Sequence, residues 1–205
     1  MTTASDSDTI PQTGFDPVAF WYAHKTKVIV YGAALLIAAL GFAYYEIHRQ
    51  SVLDNARAAF AQAASEDDYR QVIQNYPGTI AAGNASLLLA EKLRDAKKYD
   101  ESISVLQNMI DHQPSHPMID GAWLSLAATY NAQGKPDQAR DTYTQIASKF
   151  ADRYSAPLAL FSIAEIFSAQ GKLDDAKTAY ENVKSQFPDS VFASEALAKL
   201  QSLKK

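Results

Sequence analysis

Cysteine is absent from all 205 residues, which excludes disulfides, zinc–thiolate sites and thiol nucleophiles and is compatible with an oxidising compartment without requiring one. A strong charge imbalance is missing too. The 19 Lys and Arg stand against 23 Asp and Glu, a net charge of -4, so nothing resembles the basic footprint of a nucleic-acid binder. The chain has no Gly-rich phosphate loop, GxSxG elbow or HExxH pair. His112 and His116 stand four apart, but Pro114 and Pro117 interrupt any helix that would bring them together, which assigns both to a solvated turn. Acidic runs at Glu66-Asp67-Asp68 and Asp174-Asp175 fall where helices should start and complement the helix dipole there. Asn84-Ala85-Ser86 fits a glycosylation sequon at a helix start. The expectation is a protein that is not an enzyme, with no catalytic residue, cofactor, metal or small-molecule substrate.

Charge is also missing from one long stretch. Residues 28–45, VIVYGAALLIAALGFAYY, are eighteen in a row without a charged side chain. As a helix they would cover roughly 27 Å, close to the hydrocarbon thickness of a bilayer. Aromatic residues flank the run, Phe20, Trp21 and Tyr22 before it and Tyr44 and Tyr45 at its end, as interfacial anchors do. We therefore read 28–45 as a single transmembrane helix, against the alternatives of a buried core helix or a cleaved signal peptide. Residues 17–27 read as an interfacial juxtamembrane segment whose helix opens with Asp16 as cap and Pro17 in the first turn. Residues 1–16, rich in Thr, Ser and Asp, read as a disordered tail. Lys25 and Lys27 lie nearer the span than Arg49 and Arg57, so although the charges are nearly balanced the amino terminus is expected in the cytoplasm.

Beyond the span the chain repeats itself every 37 residues. Tyr69, Leu106, Tyr143 and Tyr180 form one register; Val52, Leu89, Leu126 and Ile163 a second; Val72, Met109, Ile146 and Val183 a third; Pro77, Pro114, Ala151 and Pro188 a fourth. Self-similarity at such a period marks a solenoid whose units bury their apolar faces against their neighbours. Inside one unit, Trp123, Leu126, Ala127 and Tyr130 make one helical stripe and Pro136, Ala139, Tyr143 and Ile146 another, separated by Gly134. Each unit is thus a helical hairpin, here termed helix A and helix B. The fold class is all-α: an N-terminal transmembrane helix, then a solenoid over 46–205 with units at about 46–82, 83–119, 120–156 and 157–193. A capping helix at about 190–203 continues the register with Leu197 and Leu200 before turning polar at Gln201 and Lys204.

The order Leu160, Ile163, Ala164, Phe167, Gly171, Ala176, Tyr180 and Pro188 resembles the tetratricopeptide repeat (TPR) family. The second unit departs from it with Ser86 at the bulky position and Lys97 where its sisters have Gly. The first unit has Ala56 at the aromatic position of helix A. The whole layout, with its FWYAHKTK element, one span, the linker helix EIHRQSVLDNARAAFAQA and divergent repeats, resembles the YfgM-type ancillary subunit of the bacterial SecYEG translocon. That resemblance implies a single-pass inner-membrane protein with periplasmic repeats, associated with translocon subunits and periplasmic chaperones. The alternatives are an organelle-surface receptor with cytosolic repeats and a periplasmic envelope-assembly adaptor.

TPR resemblance also implies a peptide-binding groove along helix A at Asn84, Leu87, Glu91 and Arg94, then Gly121, Leu124, Ala128 and Asn131, then Leu158, Phe161, Glu165 and Ser168. Whether Leu124, Leu158 and Phe161 line a groove or pack internally stays open at this point. In the span, Ala34 with Ala38 and Ala39 with Ala43 form small-xxx-small pairs on which another helix could pack, or which could simply face lipid. Lys and Arg are absent from the first three of the four groove positions in each unit. Acidic carboxyl-terminal peptides are therefore expected not to bind, and titration calorimetry showing micromolar affinity would contradict this.

Overall fold

The computed structural model describes residues 15–203. Most of the expected tail, and Lys204 of the expected cap, lie outside them. Nine α-helices and no strand occur among the described residues: α1 (Pro17–Gln62), α2 (Glu66–Asn75), α3 (Ile80–Asp95), α4 (Tyr99–His112), α5 (Ile119–Ala132), α6 (Pro136–Lys149), α7 (Ser155–Ala169), α8 (Leu173–Gln186) and α9 (Val191–Ser202). The chain divides into two compact units, Met1–Ser51 and Val52–Lys205.

In the first unit, Asp16 caps α1 by accepting the backbone N–H of Val18 at 2.9 Å and of Ala19 at 3.2 Å. Sequence suggested a short interfacial helix, a span and a linker helix in succession; α1 is instead unbroken across all three. Gly32 and Gly41 do not break it, because apolar neighbours offer the backbone no competing partner. Past the apolar run, Glu46–Arg49 in this unit and Asp54–Arg57 in the part of α1 that belongs to the second, each at 2.9 Å, add (i, i+3) support. The apolar window has a mean hydropathy of 2.0 and no residue buried within the chain, so α1 is long and apolar enough to cross a membrane.

The second unit is built of hairpins. Consecutive helices from α2 to α9 pack on one another. The A-type helices α3, α5, α7 and α9 also pack on their nearest A-type neighbours, whereas the B-type helices α2, α4, α6 and α8 do not pack backbone to backbone, α2 and α4 meeting through the exposed Arg70–Glu101 pair at 2.7 Å. The A helices thus form one layer and the B helices another. Between them lies the core. Tyr69, Leu106, Tyr143 and Tyr180 are all buried, as are Val72, Met109, Ile146 and Val183. Val52 and Ile163, at the two ends of the aliphatic register, are only half-buried, while Leu89 and Leu126 between them are buried. In the degenerate first repeat Ala56 is fully buried against Tyr69, Val72 and Leu89, and Phe60 supplies the missing ring, 6.4 Å from that of Tyr69.

The A–B turns of the second, third and fourth repeats each hold a residue in the left-handed region. Gly134 (φ 80°) and Gly171 (φ 71°) supply it cheaply. In the second repeat Lys97 takes the same conformation (φ 60°) at the same register, so the departure from the glycine pattern changed the residue and kept the turn. Pro136 occupies the first turn of α6 as expected. At the other end, α9 corrects one expectation. Leu200 is buried, but Leu197 is 44% exposed, and the docked face is Phe192, Ala193, Ala196 and Leu200. Leu160, one repeat before Leu197, packs in the core between α7 and α8. No helix B follows α9 among the described residues, so Leu197 has nothing equivalent to meet.

His116 requires a second correction, since it is buried rather than solvated. The Met118 N–H donates to its Nδ1 (3.1 Å), which leaves Nε2 to donate to the Ile80 carbonyl (3.2 Å) of the preceding repeat. One period on, the Arg153 guanidinium reaches the Pro117 carbonyl (3.5 Å) and the Asp120 carboxylate (3.0 Å). Thus 116 and 153 are equivalent rungs, each tying the entry to one helix A to the entry of the helix A before it. Beneath the first rung sits Gly83, where an added Cβ would come within 2.4 Å of the His116 ring. The sequon fares no better: Ser86 is buried, its hydroxyl donating to the Ala82 carbonyl at 2.9 Å.

Two expected outcomes follow. Gly83→Ala should destabilise the repeats, and less so in a His116→Ala background, with a coupling of about 1 kcal/mol in a denaturation double-mutant cycle; equal costs in both backgrounds would mean the ring does not set the contact. Lys97→Gly should raise stability by roughly 1 kcal/mol by relieving left-handed strain, and a loss of stability would show that the Lys97 side chain contributes more than its backbone costs.

Candidate functional site

Helix α7 is the most apolar of the repeat helices, with Glu165 its sole charged side chain. Its residues 158, 162, 165, 166 and 169 recur at helical spacing and face one concavity of ≈ 710 Å³. Leu158, Phe161, Ser162 and Ile166 form one side, Asn131, Gly134, Pro136 and Tyr143 belong to the preceding repeat, and Phe192 of α9 closes an end. Phe161 lies at the centre of an aromatic group, its ring 5.5 Å from Tyr180 and 5.7 Å from Phe192.

The structure brings four of the sequence-predicted residues together here: Asn131, Leu158, Phe161 and Glu165. The others are placed elsewhere on the A layer. Asn84, Gly121, Ala128 and Ser168 are half-buried, and Glu91 is exposed. Leu87 packs beside Leu106 and Leu126, and Leu124 beside Tyr143 and Ile146, so both serve the core. Arg94 donates to the Ser125 hydroxyl at 3.4 Å. Leu158 and Phe161 do both things weighed above, packing on the α8–α9 core with one face and lining the concavity with the other.

Tyr143, Ser162 and Phe192 were missed. Ser162 follows from Leu158 at (i, i+4), a spacing the sequence already carried. Tyr143 was assigned wholly to the core, and Phe192 shares a register with Met118 and Ser155, which gave no aromatic precedent.

The one carboxylate in the concavity is already engaged. Glu165 accepts hydrogen bonds from the Tyr180 phenol and from Lys199 Nζ, the latter at 3.0 and 3.1 Å, and so joins α7, α8 and α9. Burial and then the Glu165 carboxylate push the Tyr180 phenol well above its ordinary value, so it stays a donor under all working conditions. Burial likewise raises the Tyr143 phenol. The Lys199–Glu165 pair is about half exposed and contributes at most about 1 kcal/mol; it fixes geometry more than it adds stability. Among the described residues no group of three or more His, Asp or Glu is placed to hold a metal ion.

This arrangement of hairpins has a match over nearly the whole described chain: the family model for the tetratricopeptide repeat-like domain covers residues 19–205. The chain belongs to that family. No curated protein matches this TPR-like chain. Among solved structures, it is similar to the Yersinia enterocolitica type III secretion chaperone SycD in complex with a peptide of the translocator YopD, with a TM-score of 0.48 and 19% identity over 59% of this chain and 91% of that one. It is similar to PcrH from Pseudomonas aeruginosa at the same TM-score and identity, over 71% of this chain and 98% of that one.

Proposed function

We propose that this TPR-like chain is a non-enzymatic, membrane-anchored scaffold at the bacterial protein-translocation machinery, linking the translocon to periplasmic chaperones. In this reading residues 28–45 cross the inner membrane, the amino terminus is cytoplasmic, and the repeats over 46–205 are periplasmic. The observation that carries it is the ≈ 710 Å³ concavity, whose walls are mainly apolar, with Tyr143, Leu158, Phe161 and Phe192 beside the uncharged polar Asn131, Ser162 and Gln170, and whose single carboxylate is already satisfied. Such a surface suits an extended or helical polypeptide segment with apolar side chains, and offers little to a small polar ligand. The small pairs Ala34–Ala38 and Ala39–Ala43 would let a translocon helix approach the span closely.

The test is cross-linking of the full-length protein in native membranes, with photoreactive residues at Phe161 and at Ala38 and a topology reporter fused after Lys205. The expected outcome is translocon subunits captured from position 38, chaperones or their clients captured from position 161, and a reporter outside the cytoplasm. Capture of cytosolic chaperones with the reporter in the cytosol would overturn both partner and location.

A further inference from the structure

The two edges of the repeat unit differ in chemistry. Each hairpin folds back on itself, so every helix A starts on the edge where a helix B ends. On the opposite edge, where A turns into B, Lys98, Lys135 and Lys172 share one register and Asp100, Asp137 and Asp174 another. The edge of A-helix starts is poor in charge. Its segments 76–80, 113–118, 150–154 and 187–191 carry only Asp152, Arg153 and Asp189, and Arg153 is already paired with Asp120.

That edge also carries an exposed apolar row. Ile80, Pro117, Tyr154 and Val191 follow one another at the 37-residue period and all are exposed: Ile80 by 58%, Tyr154 by 66%, Val191 by 53%, with Met118 beside Pro117 at 52%. The other exposed large apolar residues of the second unit, Leu88, Leu173 and Leu197, are less exposed, at 37–46%, and share no register. The row is continuous in space. The His116 rung rests on the Ile80 carbonyl and the Arg153 rung on the Pro117 carbonyl, and the Tyr154 ring lies 5.4 Å from that of Phe192, next to Val191. An apolar residue at a helix entry is usually a staple folded onto the first turns. More than half exposed, these are not staples.

We propose that this edge lies on a lipid surface, with Ile80, Met118, Tyr154 and Val191 entering the headgroup region of a bilayer. Apart from a dip of ≈ 390 Å³ beside Ile80 and Pro117, the row offers one exposed apolar side chain per repeat entry, which a fluid interface accommodates without matched pockets. The sparse charge lowers the desolvation cost and makes the contact independent of anionic lipid. Tyrosine suits the depth, its ring apolar and its hydroxyl wet. The same chain carries a helix long and apolar enough to cross a membrane, and tethering makes a weak, additive contact sufficient.

The absence of cysteine makes the test clean. Ile80→Cys, Tyr154→Cys, Val191→Cys and, from the charged edge, Lys135→Cys would each be labelled with an environment-sensitive fluorophore in the full chain reconstituted into phosphatidylcholine vesicles. The expected result is a blue shift and quenching by nitroxide-labelled lipid at the three edge positions, insensitive to salt, with neither effect at Lys135→Cys. Edge probes as open to aqueous iodide as the Lys135→Cys probe would overturn the proposal. So would a blue shift without lipid quenching, which would mean a protein contact such as a second copy. Adding Ile80→Asp and Tyr154→Asp, both at exposed positions, should release the Val191→Cys probe from the lipid; undiminished quenching there would contradict the proposal equally.

Discussion

A two-helix hairpin of this size has apolar residues on both flanks and can bury them only against another hairpin. Tyr69, Leu106, Tyr143 and Tyr180 meet that constraint, each on a B helix and each buried against A-type helices. Losing one of the three tyrosines to alanine would cost about 3–5 kcal/mol through the cavity left behind. The ion pairs that also bridge repeats, Lys98–Glu66 and Arg70–Glu101, are largely exposed and contribute at most about 1 kcal/mol each. The stack is therefore held by its buried registers.

The same constraint shapes the candidate site. Because the A helices pack on one another, residues on their free face cannot all be buried, and in α7 the leftover surface includes Leu158, Phe161 and Ser162. Phe192 of α9 completes the aromatic group, and Glu165 ties α7, α8 and α9 through Tyr180 and Lys199. Core and concavity share residues, so the last repeat cannot be altered for one without touching the other.

The helical-hairpin fold was legible, since recurrence of large apolar residues every 37 positions has few other causes, and the chain beyond α1 is all hairpins. The turns were legible in position but not in chemistry, because Lys97 can hold the backbone that Gly134 and Gly171 hold. Sequence separated three pieces around residues 28–45 that are one helix, as no proline or cap marked any boundary between them. His116 was read from its proline neighbours as solvated. What buries it is the contact with Ile80 and Gly83 at the start of α3, a long-range event without local signature. A family-derived spacing named Asn131, Leu158, Phe161 and Glu165, which line the concavity, but carried no signal for Leu87 and Leu124 packing against the core clusters or for Phe192 arriving from α9.

If neighbour burial is what sustains the array, removing the last neighbour should act locally. The most direct measurement is amide hydrogen exchange on the full chain with and without residues 191–205. The account predicts that α8, whose Tyr180 and Val183 pack against Phe192 and Leu200, loses protection while α3 and α4 keep theirs. Uniform loss across all repeats, or no loss in α8, would contradict it.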